Sequence, residues 1–379
     1  MVFHRFLTGS AYHLFFENDI IQVMIWNPFA SKPKSFLGVD IGTFSIKIVE
    51  LSKQGNRKKL DNYGEIQAGS LYEKSFRTFE KSTLTVSSAD VVRAIKAVLA
   101  ESKMKSQRAC FSIPDFSTFF TNFSLPAMTE EEIPQAVQYE ARQHIPLPMS
   151  EVTLDWQIVG REGKNKKDVP FKVLLVAVPN EVIKQYQEIA VNAGLELLTL
   201  EAEVFSLARA LSDSEEGVVA LVDIGARSTT ISLIEQGNLK ISHSFDTSGN
   251  DFTNVIAKGL NLDYRQAEDL KMSQGLKAEP NGARDSLMPL VDLIANEFQK
   301  IFKNFYYTEN KEVKKVVMAG GSALMPGLAD YLSENLKKPV EIINPFSVLY
   351  YPPILEETLK EMGPSYAIAV GTALRGFQL

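Results

Sequence analysis

Leu37-Gly-Val-Asp-Ile-Gly-Thr-Phe-Ser-Ile-Lys-Ile-Val49 and Ala220-Leu-Val-Asp-Ile-Gly-Ala-Arg-Ser-Thr-Thr-Ile-Ser232 are the stretches on which the fold turns. Laid side by side, Val39, Asp40, Ile41, Gly42, Ser45 and Ile48 recur as Val222, Asp223, Ile224, Gly225, Ser228 and Ile231. Each copy reads as an apolar strand, an Asp-x-Gly turn and a second strand. The repeat predicts an internal duplication and so two lobes of similar build. The chemistry follows from the turn. Glycine lets backbone N–H groups approach phosphate oxygens, a hydroxyl such as that of Thr43 adds a bond, and the Asp offers a hard oxygen ligand for Mg²⁺, usually through water. One such turn alone is more often ordinary hairpin geometry. Two of them, each after a buried strand, fit two hairpins facing one polyphosphate.

Working outward, a third glycine turn follows late in the chain, in Val317-Met-Ala-Gly-Gly-Ser-Ala-Leu-Met-Pro-Gly-Leu328. A strand there ends at Ala319-Gly-Gly-Ser322 and leads to a helix, so the backbone can lie flat against a nucleoside with a helix start nearby. Between the repeats, the spacing predicts a helix over 89–102, strands over 108–114 and 118–125, and a helix opened by the capping box Thr129-Glu-Glu-Glu132 and ending before Pro146. Strands follow over 151–159 and 171–178, the second apolar enough to be buried on both faces. A helix over 181–193 stops at Gly194, before a strand over 196–200 and a helix over 202–211. After the second repeat come helices over 250–259 and 264–272, a polar loop over 275–285, and an amphipathic helix from Ser286 with Leu287, Val291, Ile294, Phe298, Ile301 and Phe305 on one face. A strand over 314–319, a helix over 327–336, a strand over 339–343 and a helix over 366–375 complete an α/β pattern.

Composition narrows the function classes. A chain of 379 residues is too long for one core and predicts two lobes. Its net charge of −6 gives no basic face for nucleic acid, and the cluster Arg57, Lys58, Lys59 reads as a solvated loop. The single cysteine, Cys110, allows no internal disulfide, which fits a reducing compartment. His4, His13, His144 and His243 are too scattered to build a zinc site, so metal chemistry must rest on carboxylates and phosphates. Residues 1–23 are apolar but interrupted by Arg5, His13, Glu17 and Asp19, and 20–31 falls short of a bilayer span. They are expected to be an extension before a natural start at Met24, or a weak surface element.

Asp40-Ile-Gly-Thr, Asp223-Ile-Gly-Ala and Ala319-Gly-Gly-Ser, in that order, resemble the phosphate-1, phosphate-2 and adenosine motifs of the actin, Hsp70 and sugar-kinase superfamily, over residues 36–379. The resemblance implies a cleft holding Mg·ATP. It places phosphate at Gly42, Thr43, Phe44 and Lys47 and at Gly225, Ala226, Arg227 and Ser228, with Mg²⁺ held through water by Asp40 and Asp223. Arg227 stands where relatives often carry a small residue. The stretch Lys258-Gly-Leu and Ala267-Glu-Asp-Leu-Lys271 is similar to the segment that flanks the adenosine in bacterial actin homologues. That similarity puts Glu268 and Lys271 at the nucleoside, beside Gly320, Gly321, Ser322 and Met325. Glu201 and Glu203 both lie where such proteins keep the group that orients the attacking water, and Glu203 is the better match.

Phe123-Ser-Leu-Pro-Ala-Met128, Tyr139-Glu-Ala-Arg-Gln-His-Ile-Pro-Leu-Pro148, Leu154-Asp-Trp156 and the opening Asn27-Pro-Phe-Ala and Ser35-Phe-Leu-Gly resemble the PilM family of type IV pilus assembly. The expected fold class is therefore α/β, an actin-like (RNase H-like) two-lobed fold with duplicated β-hairpin phosphate sites and an FtsA/PilM-type small subdomain. The expected division is an N-terminal extension (1–35), lobe 1 core (36–104 and 171–214), small subdomain (105–170), lobe 2 core (215–249 and 313–350), lobe 2 helical subdomain (250–312) and a C-terminal helix returning to lobe 1 (351–379). The resemblance implies a bacterial ATP-binding scaffold, with slow hydrolysis as an open possibility. It would sit in the cytoplasm at the inner membrane, bind the N-terminal tail of PilN in a groove between lobe 1 and the small subdomain, and work among other pilus platform proteins. Phe119, Phe120, Phe123 and Leu125 either line such a groove or serve the core. The end at Gly376-Phe-Gln-Leu379 carries no amphipathic membrane helix of the kind FtsA has, which favours the pilus reading. An FtsA-like filament-forming ATPase and a small-molecule kinase are the alternatives on the same cleft.

Overall fold

The computed structural model describes residues 35–68, 77–80, 83–161, 170–211, 217–279 and 282–379. The expectation for the segment before Met24 lies outside them. β1 (Ser35–Ile41) and β2 (Ser45–Gln54) form the first Asp-x-Gly hairpin, and β3 (Arg57–Gln67) extends it antiparallel. Arg57, Lys58 and Lys59 thus open a strand rather than lie in a loop. Gly55, at φ 61, and Asn56 make a two-residue connection whose left-handed glycine suits a hairpin. β4 (Arg77–Glu80) and β5 (Thr83–Val86) pair with each other. α1 (Ser88–Glu101) follows, burying Val91, Ala94, Ile95 and Val98 along one stripe, and β6 (Arg108–Ile113) runs parallel beside β1.

There the chain leaves the sheet. A 3-10 turn at Asp115–Ser117 leads to β7 (Phe119–Leu125), α2 (Ile133–His144), β8 (Val152–Arg161) and β9 (Phe171–Pro179). Thr129 does donate to the Glu132 carboxylate, at 2.8 Å from its N–H, but the helix begins only at Ile133, with Pro134 in its first turn. β7, β9 and β8 form a three-stranded antiparallel sheet with β9 central. The long apolar run of β9 serves two cores: Val173, Leu175 and Ala177 meet Ile133, Val137 and Ala141 of α2, whereas Leu174, Val176 and Val178 join the core of the larger sheet. This small sheet therefore draws on chain from both sides of residue 170, and β6 stays with β1. α3 (Asn180–Ala193) ends at Gly194, whose φ of 79 is left-handed. β10 (Glu196–Ala202) completes the order β10-β6-β1-β2-β3, and α4 (Glu203–Arg209) follows.

The second repeat builds the same sheet again. β11 (Val218–Ile224), β12 (Thr229–Glu235) and β13 (Asn238–Phe245) are the antiparallel part. The chain continues as α5 (Gly249–Leu260), α6 (Tyr264–Ser273) and α7 (Ala283–Glu309), then β14 (Val313–Ala319), α8 (Leu328–Leu336) and β15 (Val340–Ile342). β14 lies parallel to β11 and β15 parallel to β14, giving β13-β12-β11-β14-β15. Order and strand sense match the first sheet position for position. Part of the expected polar loop after Gly275 is a 3-10 turn, Gly275–Lys277, and α7 starts at Ala283 rather than Ser286.

α9 (Glu356–Arg375) returns to the first sheet. It starts at Glu356 rather than near Tyr366 and runs through Pro364. Its small residues let backbones approach: a Cβ on Gly38 of β1 would lie 2.1 Å from the Ala369 carbonyl oxygen, and one on Gly371 would lie 1.8 Å from that of Ser206 in α4. The core under the first sheet is continuous with Val219, Leu221, Val317 and Ala319 of the second, while α5, α7 and α8 cover the other face of the second sheet. No helix among the described residues is long and apolar enough to cross a membrane.

Candidate functional site

The two repeated turns have the same internal geometry. The Gly42 N–H donates to the Ser45 carbonyl at 2.8 Å, and the Gly225 N–H donates to that of Ser228 at 3.0 Å. Both turns, with Asp40, Gly42, Thr43, Phe44 and Lys47 on one side and Asp223, Gly225, Ala226, Arg227 and Ser228 on the other, open onto one cleft of about 950 Å³. Its size lies in the range of small-molecule sites. Asp40 is nearly buried, and its Oδ1 accepts from the Ser112 hydroxyl at 3.2 Å, so β6 fixes the carboxylate that ends β1. Lys47, its register partner across the hairpin, donates to Ser45 Oγ at 2.6 Å and lies 3.6 Å from Glu65 of β3.

The third turn touches the second. Gly320 has φ 88 and ψ 165, a region that only glycine occupies freely. A Cβ there would fall 2.6 Å from Asp223 Oδ1 and 2.5 Å from the Ile224 carbonyl oxygen. Gly321 by contrast meets nothing within 4 Å of where its Cβ would be, and with Ser322 it lines the cleft. Met325, expected at the nucleoside, does not line the cleft. The 3-10 turn Gly321–Leu324 carries it inward, where it is 2% exposed in the core with Leu328 and Leu332, and Leu324 lines the cleft instead.

α5 and α6 extend the wall beside the second and third turns. The Gly249 and Asn250 N–H groups donate to the carbonyls of Gly225 and Ala226, at 2.9 and 3.2 Å, tying α5 to the second turn. Lys271 is 3% exposed and donates to Glu268 Oε2 at 2.7 Å, Thr253 Oγ1 at 3.0 Å and the Gly249 carbonyl at 3.2 Å. Thr253 also bonds Glu268. Burial holds the Lys271 ammonium below the ordinary lysine range, and Glu268 opposes that shift. Tyr264, one turn before Glu268, donates to Asn250 Oδ1 at 2.7 Å; burial, with Glu268 nearby, raises its phenol above the usual range. Tyr264, Asn250, Glu65, Gln67, Glu361 and Ser365 also line the cleft. Sequence reasoning passed over them because they are ordinary polar residues on strand and helix surfaces, with no motif of their own. An i, i+4 pair such as Tyr264 and Glu268 was the one available signal.

The two candidate glutamates separate cleanly. Glu201 is fully buried away from the cleft, gripped by both terminal nitrogens of Arg209 at 2.6 and 2.9 Å and by Ser206 Oγ at 2.6 Å. Such a doubly bonded buried pair is structural. Glu203 begins α4 and lines the cleft. Cys110 lies inside the core near this ion pair, and burial, with Glu201 adding to it, pushes its thiol far above the usual range, so it is inert. Among the described residues, no group of three or more His, Cys, Asp or Glu side chains could hold a metal by itself. A divalent ion at Asp40 and Asp223 would need phosphate oxygens and water to complete its shell, and the cleft has room for them.

Phe119, Phe123 and Leu125 pack in the core of the small sheet, and Phe123 stacks on His144 with centroids 5.4 Å apart. Phe120 points the other way, edge-on to Phe205 at 6.1 Å. Phe123 and Leu125 thus serve packing, whereas Phe119 and Phe120, with His144 and His243, also line a second cavity of about 340 Å³.

Two sheets of identical order, joined by a shared core and facing each other across a cleft with duplicated Asp-x-Gly turns, define an actin-like protein. Within that class the chain belongs to the family described as type IV pilus assembly protein PilM, whose pattern matches residues 38–377. A solved PilM–PilN type IV pilus biogenesis complex is similar over 90% of this chain and 98% of that one, at 26% identity and a TM-score of 0.76. MreB5 of Spiroplasma citri, solved with AMPPNP, shares the fold over 91% of this chain and 96% of its own, at 13% identity and a TM-score of 0.51. The cell division protein FtsA of Enterococcus faecalis is 22% identical over 83% of this chain and 80% of that protein. Against the FtsA proteins of Staphylococcus epidermidis and Bacillus subtilis the chain spans about half their length, 46% and 54%.

Proposed function

We propose that this chain is a Mg·ATP-binding scaffold of the type IV pilus inner-membrane platform, and that it binds the N-terminal cytoplasmic tail of PilN. The observation that carries the nucleotide half is the convergence of three glycine turns, around Gly42, Gly225 and Gly320, on one cleft with a carboxylate at each hairpin. In this reading Gly42, Thr43, Phe44 and Lys47 face phosphate from one side and Gly225, Ala226, Arg227 and Ser228 from the other. Asp40 and Asp223 organise Mg²⁺ through water, and Glu268, Lys271, Gly320, Gly321 and Ser322 hold the nucleoside. Glu203 orients the water that attacks the γ-phosphate, with positioning and charge neutralisation supplying most of the rate. The partner half is supported by family membership and by the similar chain solved with PilN. The chain then works at the cytoplasmic face of the inner membrane, held there by its partner.

The deciding experiment is a calorimetric titration with a peptide copying the N-terminal tail of the PilN-like protein from the same organism, against a scrambled peptide. Saturable binding of the native peptide alone is expected. If neither peptide binds, with or without Mg·ATP, the pilus-platform reading falls and sedimentation with ATP becomes the test of an FtsA-like filament.

A further inference from the structure

The start of α4 lacks a cap of its own. Ala202 precedes it and offers no side-chain acceptor, so the first N–H groups of the helix need a partner from elsewhere. That partner is Asp115, far away in sequence. The Val204 N–H donates to Asp115 Oδ1 at 3.1 Å, and the Asp115 N–H donates in return to Glu203 Oε2 at 3.3 Å. Both carboxylates are buried, Asp115 at 6% and Glu203 at 8% exposure, so the exchange takes place where water competes little. Asp115 is itself held in place by the tight turn around it. The Thr118 N–H donates to the Asp115 carbonyl at 3.0 Å, and the Thr118 hydroxyl to the Pro114 carbonyl at 3.1 Å. The same short run of chain carries Ser112, the donor to Asp40.

One bond fixes where the first turn of α4 begins, and the other fixes which way the Glu203 carboxylate points. Either alone would leave one freedom open. We propose that Asp115 is a positioning residue for ATP hydrolysis, holding the Glu203 carboxylate toward the attacking water. The inference rests on the reading of Glu203 as the group that orients that water. In the step it supports, the water oxygen bonds to the γ-phosphorus and the bond from that phosphorus to the β–γ bridging oxygen breaks. ADP keeps the electron pair, and the water's proton passes to phosphate or solvent. Asp115 exchanges no proton in this step.

The test is steady-state ATP hydrolysis by the full chain, comparing Glu203→Gln, Asp115→Ala, Asp115→Glu and Asp115→Asn, with Mg·ATP affinity measured separately. Asn keeps an acceptor oxygen for the Val204 N–H in place, Glu moves it by one methylene, and Ala removes it. The main-chain bond from the Asp115 N–H to Glu203 survives in all three, so the series reads how far the placement of the helix start controls that carboxylate. Misplacing a reacting group by about 1 Å costs up to about 100-fold, so Asp115→Ala and Asp115→Glu are expected to lower kcat by at least about tenfold with KM within about twofold. Asp115→Asn is expected to recover kcat to within about threefold of wild type, with kcat counted per Mg·ATP-binding chain so that a smaller folded fraction does not lower it. If Asp115→Ala does not fold, the contrast between Glu and Asn carries the decision. Wild-type kcat in Asp115→Ala or Asp115→Glu, alongside a dead Glu203→Gln, overturns the proposal and leaves Glu203 its role. Full activity in Glu203→Gln, or no hydrolysis by a wild-type chain that binds Mg·ATP, removes the role of Glu203 and this inference with it, while nucleotide binding stands.

Discussion

The two neighbouring glycines of the third turn have different tasks. Gly320 sits in a backbone region closed to other residues and abuts Asp223, whereas Gly321 faces open cleft. Gly320→Ala is therefore expected to destabilise the fold by about 1–3 kcal/mol, from the backbone strain alone. Gly321→Ala should leave stability unchanged and weaken Mg·ATP binding by filling cleft space. Denaturant unfolding and nucleotide titration on the same two proteins separate the effects; equal stability loss in both would contradict the assignment. At this scale the sequence was most legible in the turn glycines Gly42, Gly225 and Gly320, whose turns the fold brings to one cleft. It was least legible at Met325. A methionine after a glycine turn fits a nucleoside pocket as well as a core, and only the inward winding of the 3-10 turn decides between them. Glu201 and Glu203 are two residues apart, and in the sequence only the resemblance to bacterial actins favours Glu203. What divides them is Arg209 and Ser206, which the fold brings to one and not to the other.

At the level of elements, the duplicated hairpins could be read because each carries its own turn chemistry and buried strand. β3 could not be read from hydrophobicity, since it lies at the edge of its sheet and opens on three basic residues; the two-residue Gly55–Asn56 turn was the usable signal. α9 was read short because a proline normally ends a helix. Here Pro364 stays inside the helix, its carbonyl accepting from the Gly320 N–H at 2.9 Å, so the helix reaches the third turn directly. α9 also presses against α4 at Gly371, where a side chain would meet the Ser206 backbone. Gly371→Ala is expected to cost about 1–3 kcal/mol of stability by overpacking, readable as a lower denaturation midpoint. A midpoint equal to wild type would mean that this helix interface yields more easily than its geometry implies.

At the scale of the whole molecule, the two sheets share one continuous core beneath the cleft, built from Leu37, Val39, Leu221 and Val317 among others. Heating is therefore expected to give one calorimetric transition rather than two. Mg·ATP at about 100 times its Kd should raise the unfolding free energy by about 2.7 kcal/mol. Asp40→Ala should lose most of that gain. Two resolved transitions would show that the shared core does not couple the lobes, and an undiminished gain in Asp40→Ala would remove this carboxylate from the metal site. The duplication made the two-sheet plan legible in advance. The small sheet was less so, because its central strand β9 lies after the helix and loops it packs against, and nothing local says which sheet that strand will join.

The outer rim of β3 has one more consequence. Tyr350 bridges to Lys59, with the Leu60 N–H donating to the Tyr350 carbonyl at 3.0 Å and the Tyr350 N–H to that of Lys58 at 2.8 Å. A strand left bare at the side of a sheet is a template for zipping onto another chain, and charged residues and a covering segment are the usual guards against it. The chain that links the second sheet to α9 supplies the cover at one end of β3. Arg57, Lys58 and Lys59 supply the charge there, and the far end of β3 is turned to the cleft. Two copies meeting along this side would find the Lys58–Leu60 end of the ladder already paired with Tyr350, so sheet extension is hindered at that end by the same strand that walls the cleft.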